Sequence, residues 1–219
     1  MRQYSIDARN IKNPIYPCPI QMGGKNANGQ MLSIGNYYLS LDGKPFFGVC
    51  GEAHFSRMNR ELWEDEIIKM KAGGLNIIAT YIFWIHHEEI EGTFDFSGNK
   101  DLRIFLELCK KNHMYVILRI GPFSHGECRN GGFPDWIYGQ PFDIRCDDPS
   151  YLYYTRRFYE QIYQQAKGLL FKDNGPVIGV QLENEHEHAS CPWEMTTENS
   201  KEWVVSGHDG KNHMNTLKK

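Results

Sequence analysis

Apolar runs and polar punctuation alternate along this chain from about residue 36, and the alternation predicts its elements. Residues 46–51, Phe-Phe-Gly-Val-Cys-Gly, read as a first short strand. Residues 61–72 read as a helix, with Trp63, Ile67 and Met70 at helical spacing, Asn59 as N-cap and Gly73-Gly74 as the stop. A second strand is expected over 75–81, Leu-Asn-Ile-Ile-Ala-Thr-Tyr. In the next segment, from about Lys100 to Lys111, Leu102, Phe105, Leu106 and Cys109 form a helical apolar stripe. Met114 to Ile120 is a third strand, and a long connection over 121–147 follows. Asp148-Pro149 reads as an N-cap with proline in the first turn. The helix behind it carries Tyr151, Tyr154, Phe158 and Ile162 on one face and reaches roughly Lys167. Val177 to Leu182 is a fourth strand. Residues 1–35, rich in Asn, Gly and Pro, read as an irregular lead-in.

Strands separated by helical patterns mean βαβ units and a parallel sheet. Two α/β arrangements fit: a doubly wound sheet or a (β/α)8 TIM barrel. No GxGxxG or GxxxxGK[ST] follows any strand, which weakens a nucleotide-binding sheet. Polar and aromatic residues gather instead just past each strand: Glu52 and His54, Tyr81 and Trp84, His125 and Glu127, Asn184 and Glu185. That is the sequence image of the active-site rim of a barrel. A full barrel needs about 250 residues and eight strands, whereas this pattern yields four strands in 219 residues. The expectation is an irregular lead-in over 1–35 and the first half of a barrel over 36–219, cut off where His213 to Lys219 begin another helix. A small four-stranded α/β domain is the other reading.

Composition narrows the class. With 41% apolar and 13% aromatic residues the chain builds one good-sized core. A net charge of −3 and a pI near 6.3 give no reason to expect nucleic acid or an anionic membrane. No apolar stretch approaches the length of a bilayer span. The first residues, Met1-Arg-Gln-Tyr-Ser, carry no apolar signal core. The protein is therefore cytosolic, or secreted or periplasmic with its leader trimmed or lost. None of the six cysteines forms a CxxC pair, so a zinc ribbon or redox motif is not expected. Cys50 and Cys109 fall in apolar segments and read as buried thiols.

Four segments carry candidate chemistry. In Gly175-Pro-Val-Ile-Gly-Val-Gln-Leu-Glu-Asn-Glu185 an apolar strand ends in two carboxylates and an amide. Strand alternation would put Glu183 and Glu185 on one face and Asn184 on the other. Glu185, nearer the mouth, is the acid/base candidate, and Glu183 reads as a deeper, hydrogen-bonded structural group. Glycoside hydrolysis needs two carboxyl groups flanking the scissile bond, and two groups pointing the same way cannot flank a sugar. The partner is therefore expected on another strand. Gly121 to Trp136 offers Glu127 as an acceptor and Trp136 as a stacking face for a sugar, or else a structured surface loop. Tyr81 and Trp84 could line a pocket. His86 to Glu89 and Glu185 to His188 each invite a metal, but a solvated loop is the better reading of the latter.

Taken together these segments resemble the catalytic barrel of family 35 glycoside hydrolases, the β-galactosidase family. The matching stretches are Leu41-Asp-Gly-Lys-Pro-Phe, Gly51-Glu-Ala-His-Phe-Ser-Arg57, Arg60-Glu-Leu-Trp-Glu-Asp, Leu75-Asn with Thr80-Tyr81 and Trp84, Gly92-Thr-Phe-Asp-Phe-Ser-Gly-Asn, Arg119-Ile-Gly-Pro, Gly126-Glu127 with Gly131-Gly132-Phe-Pro-Asp-Trp136, and Val180-Gln-Leu-Glu-Asn-Glu185. They run in order from about residue 36 to 187. The resemblance implies a TIM barrel and retaining hydrolysis of carbohydrates with terminal β-D-galactose. It makes Glu185 the general acid/base. It places Tyr81, Glu127 and Asn184 at positions that hydrogen-bond galactose hydroxyls, and Gly126 where the backbone faces the sugar. The nucleophilic Glu follows the seventh strand in this family, so a chain ending here would be inactive alone. Two rim segments depart from the usual pattern: Trp84-Ile-His-His-Glu-Glu89 and Gly126-Glu-Cys128. These bear on leaving-group preference more than on the chemistry. No metal or organic cofactor is needed, since two carboxylates suffice. Half a barrel leaves two sheet edges open, which invites an oligomer. Two alternatives stay open: a carbohydrate-binding domain without catalysis, and a clan-related enzyme for another sugar, such as a β-glucosaminidase.

Overall fold

The computed structural model describes residues 14–16 and 22–185. Two sheets organise them. The first is an antiparallel meander of β1 (Gly23–Lys25), β2 (Met31–Ile34), β3 (Leu39–Leu41) and β4 (Lys44–Phe46). The second is parallel, in the order β5 (Cys50–Glu52), β6 (Ile77–Tyr81), β7 (Tyr115–Arg119) and β8 (Val177–Gln181). Helices α1 (Trp63–Ala72), α2 (Trp84–His87), α3 (Leu102–Lys111) and α4 (Pro149–Ala166) fall between the parallel strands. This is a (β/α)8 barrel sheet, of which four successive parallel strands are described.

The meander corrects the expected irregular lead-in. Asn26 closes the β1–β2 turn by accepting from the amides of Asn28 and Gln30. Asp42 and Gly43 both take positive φ, at 52° and 74°, as a two-residue hairpin requires. The expected strand over 46–51 is split: Phe46 closes the meander, and the parallel sheet starts at Cys50.

The expected cap residues lie at or just before the helix ends, and α3 is capped by Asp101, whose side chain accepts from Ile104 N. Asn59 accepts from Glu61 N at 3.2 Å, starting a 3-10 turn that runs into α1. Asp148 accepts from Ser150 N at 2.7 Å and from Tyr151 N, and Pro149 fills the first turn of α4. The α3 stripe of Leu102, Phe105, Leu106 and Cys109 is fully buried. It packs between α1 and α4 and over Ile78, Val116 and Leu118 of the sheet. Each large apolar side chain so buried contributes about 1.5–3 kcal/mol.

Register decides what faces the other side of the sheet. Cys50 pairs with Ile77, Ala79 with Ile117, Tyr81 with Arg119, and Arg119 with Gln181. Since Val116 and Leu118 face the helices, Glu52, Tyr81, Arg119 and Gln181 share the opposite, interior face. That also corrects Cys50, which is exposed on this face, whereas Cys109 is buried and its thiol pushed up to about 12.

Candidate active site

The carboxyl ends of all four parallel strands meet at one guanidinium. Arg119 lies with its Cζ 3.7 Å from the centre of the Tyr81 ring. Its Nη1 reaches Glu52 Oε1 at 2.5 Å, its Nε donates to Gln181 Oε1 at 3.0 Å, and its other terminal nitrogen donates to Asn184 Oδ1 at 3.0 Å. Tyr81 donates its hydroxyl to the same Asn184 Oδ1 at 2.7 Å, and Gln181 Nε2 approaches it at 3.4 Å. Desolvation pushes the Tyr81 phenol up to about 12, against the pull of Arg119 and helped by Glu52, Glu185 and Glu127. The tyrosine is therefore a neutral donor at any working pH. His54 closes the rim: its Nδ1 accepts from Tyr81 N at 3.3 Å, which leaves Nε2 to meet Glu52 at 3.4 Å.

Glu183 and Glu185 do not follow strand alternation. The strand stops at Gln181, and both glutamates take left-handed backbone, φ 57° and 48°. The turn is held from behind. Arg145 Nη2 pairs with Glu183 Oε2 at 3.1 Å and donates to the backbone oxygens of Asn184, at 3.0 Å, and Glu185, at 3.5 Å. Phe123 N donates to Glu183 Oε1, and Glu183 N donates to Gly121 O. Burial raises the Glu183 carboxyl, with Arg145 and two amides pulling the other way. Glu183 is thus the structural carboxylate of the pair. Asn184 is buried and Glu185 exposed.

Gly126 and Glu127 come from the long connection, both with positive φ, 50° and 48°. A Cβ on Gly126 would stand 2.9 Å from Phe83 Cε1 and 3.3 Å from Tyr81 Cδ2, so only glycine lets this backbone lie against the aromatic floor. Glu127 is exposed beside it.

Of two expected pocket residues, one lies in the core and the other packs against it. Trp84 is fully buried, stacked on Phe158 at 4.9 Å, and donates to Glu88 Oε2. Trp136, half-buried, packs edge-on against Trp84 and donates to Glu88 O at 2.8 Å. Their large apolar area is worth more inside than at the rim. Glu88 is itself buried, bound by Arg157 at 2.8 Å and Gly92 N at 2.7 Å. His87 stacks on Phe96 and gives its Nδ1 proton to Asp95 O. His186 and His188 lie outside the described residues. Sequence reasoning gave no role to Arg119, Gln181 or Arg145. A charged residue closing the apolar run Tyr-Val-Ile-Leu-Arg119 was the available signal.

A hollow of about 310 Å³ lies at the other end of the sheet, lined by Asn26, His113, Tyr115 and Asn174 among others. No carboxylate lines it, and it sits on the barrel face associated with stability rather than chemistry.

A parallel sheet with its charged and amide groups converging past the strand ends is the arrangement of a barrel hydrolase, and solved structures agree on the fold. An exo-β-1,4-mannosidase from Opitutaceae bacterium strain TAV5 aligns with a TM-score of 0.56 at 15% identity, covering 90% of this chain and 32% of that one. A β-galactosidase from the psychrophilic Marinomonas ef1 aligns at 0.52 and 14% identity, covering 75% and 26%. Residues 38–217 match Glycosyl hydrolases family 35, and the chain belongs to that family. Over 169 residues it is 36% identical to a β-galactosidase of Xanthomonas manihotis, covering 77% of this chain and 28% of that protein. Over 167 residues it is 38% identical to a β-galactosidase of Homo sapiens, covering 75% and 25%. The chain spans about a quarter of the length of these curated relatives.

Proposed function

We propose that the protein carrying this chain hydrolyses terminal β-D-galactosyl residues with retention, and that Glu185 is its general acid/base. The observation that carries this reading is the convergence of Tyr81, Arg119 and Asn184 beside Glu185 at the strand ends of a family 35 sheet. In the first step Glu185 gives its proton to the glycosidic oxygen as the C1–O bond breaks. A carboxylate nucleophile bonds C1 from the opposite face. In the second, the Glu185 carboxylate takes a proton from water, whose oxygen attacks C1 and releases the nucleophile.

Glu183 is not that nucleophile, because its carboxylate is turned into the protein and tied to Arg145 and Phe123 N. The role falls to a glutamate after the seventh strand, as the family resemblance implies. Asn184, Glu127 and Tyr81 contact sugar hydroxyls, and the Gly126 backbone lies along the ring. The exposed edges of β5 and β8 are covered by further strands of the barrel. A chain limited to these four strands would pair them with a second copy.

A panel of aryl glycosides given to the full-length protein tests the substrate class, with ¹H NMR of the first-formed sugar. The β-galactoside is expected to be cleaved fastest and to release β-galactose. Preference for another glycone, or release of the α-anomer, would overturn the assignment.

A further inference from the structure

We propose that Arg119 is a positioning residue that fixes which end of the Asn184 amide faces the sugar. The argument rests on hydrogen-bond polarity. An amide can present either its oxygen or its nitrogen, and its neighbours choose. Asn184 Oδ1 is met by three groups: Tyr81 Oη at 2.7 Å, Arg119 at 3.0 Å and Gln181 Nε2 at 3.4 Å. One of these could exchange roles, since a phenol both donates and accepts. Gln181 Nε2 is held in addition by Glu183 O at 3.0 Å. A guanidinium has five donors and no acceptor, so its role cannot invert.

Arg119 also holds the second amide. Its Nε donates to Gln181 Oε1 at 3.0 Å, which turns Gln181 Nε2 toward Asn184 and Glu183 O. Arg119 is therefore the one side chain of the network that binds both amides and cannot itself invert. With Oδ1 committed inward, Asn184 is left with Nδ2 as the group it offers outward, a donor for a hydroxyl oxygen. Stacking on Tyr81 and pairing with Glu52 keep the guanidinium in its plane, with its side chain only 18% exposed. The catalytic consequence rests on the proposed galactosidase reading. The polarity claim itself does not.

Two measurements on the full-length protein separate them. The first is a double-mutant cycle on an aryl β-galactoside, using Arg119→Met, Arg119→Lys and Asn184→Ala. A charge-assisted hydrogen bond of about 1.5–3 kcal/mol corresponds to roughly a 10- to 100-fold loss in kcat/KM for Arg119→Met. Arg119→Lys, which keeps a donor but not the fork, is expected to retain part of that activity. In the Asn184→Ala background the Arg119 change should remove little more. Losses that simply multiply would overturn the proposal, since Arg119 would then act apart from Asn184. The second is an atomic-resolution crystal structure of Arg119→Met, or of Arg119→Lys if the first does not fold. An inverted or mixed Asn184 amide supports the proposal, and an unchanged network overturns it. The structure decides the point even if the wild-type protein cleaves no galactoside, an outcome that would count against the function alone.

Discussion

Three residues in succession, Glu183-Asn184-Glu185, are set apart by environment rather than by chemistry. Glu183 is held by Arg145 behind the sheet, Asn184 is fixed at its oxygen end, and Glu185 is exposed at the rim. The nearby Gly126 leaves no room for a side chain. Gly126→Ala must hold a Cβ at positive φ and against Phe83. It is expected to lose about 1–2 kcal/mol in urea unfolding and to raise KM for the sugar. Unchanged stability together with unchanged KM would show that this backbone does not line the site. The sequence singled out these residues, but their orientations could not be read from it. Alternation along 183–185 was the wrong premise, because the strand ends at Gln181 and both glutamates turn to left-handed backbone. The Arg119 hub joins positions 38 to 67 residues from it, which no local pattern records.

At the scale of elements, the sequence spoke clearly wherever an apolar stripe met a strong cap. Asp148 starts its helix as read, Asn59 caps the 3-10 turn that leads into α1, and the α3 stripe is the buried stripe. Asp148→Ala removes the acceptor for Ser150 N and Tyr151 N at the head of α4. A loss of about 1 kcal/mol in denaturant unfolding is expected, and no loss would mean that the helix start is held by packing alone. The meander was missed because strands of three or four residues are too short for periodicity to show. Its Asp42-Gly43 turn was the one readable sign. The short α2 was missed for the same reason, and with it the burial of Trp84 and His87. Burial pulls the His87 ring down to about 4 from 6.5, so the folded state holds it neutral. Its contribution is complete above pH 6.5 and is lost as pH falls through about 4. The drop over that window is about 3 kcal/mol. His87→Gln should flatten unfolding free energy against pH between these values. An equally steep profile in the variant would assign the acid sensitivity elsewhere.

For the molecule as a whole, the described sheet has a finished and an unfinished side. The helix layer over β6 and β7 is closed, yet Val180, on the same side as buried Leu118, is 52% exposed, and Leu182 is 66% exposed. Neighbouring barrel elements are the natural cover for such a surface, and the site built at these strand ends belongs to that larger barrel. The family was legible because its motifs fall at strand ends in a fixed order. The strand ends are where barrel chemistry sits. The central claim is that Glu185 moves the proton. It is tested most directly by kcat/KM of the full-length protein on an aryl β-galactoside, wild type beside Glu185→Gln. The account predicts a loss on the order of 10²–10⁴-fold, smallest for leaving groups that depart without a proton. Wild-type turnover by Glu185→Gln, across good and poor leaving groups alike, would contradict it.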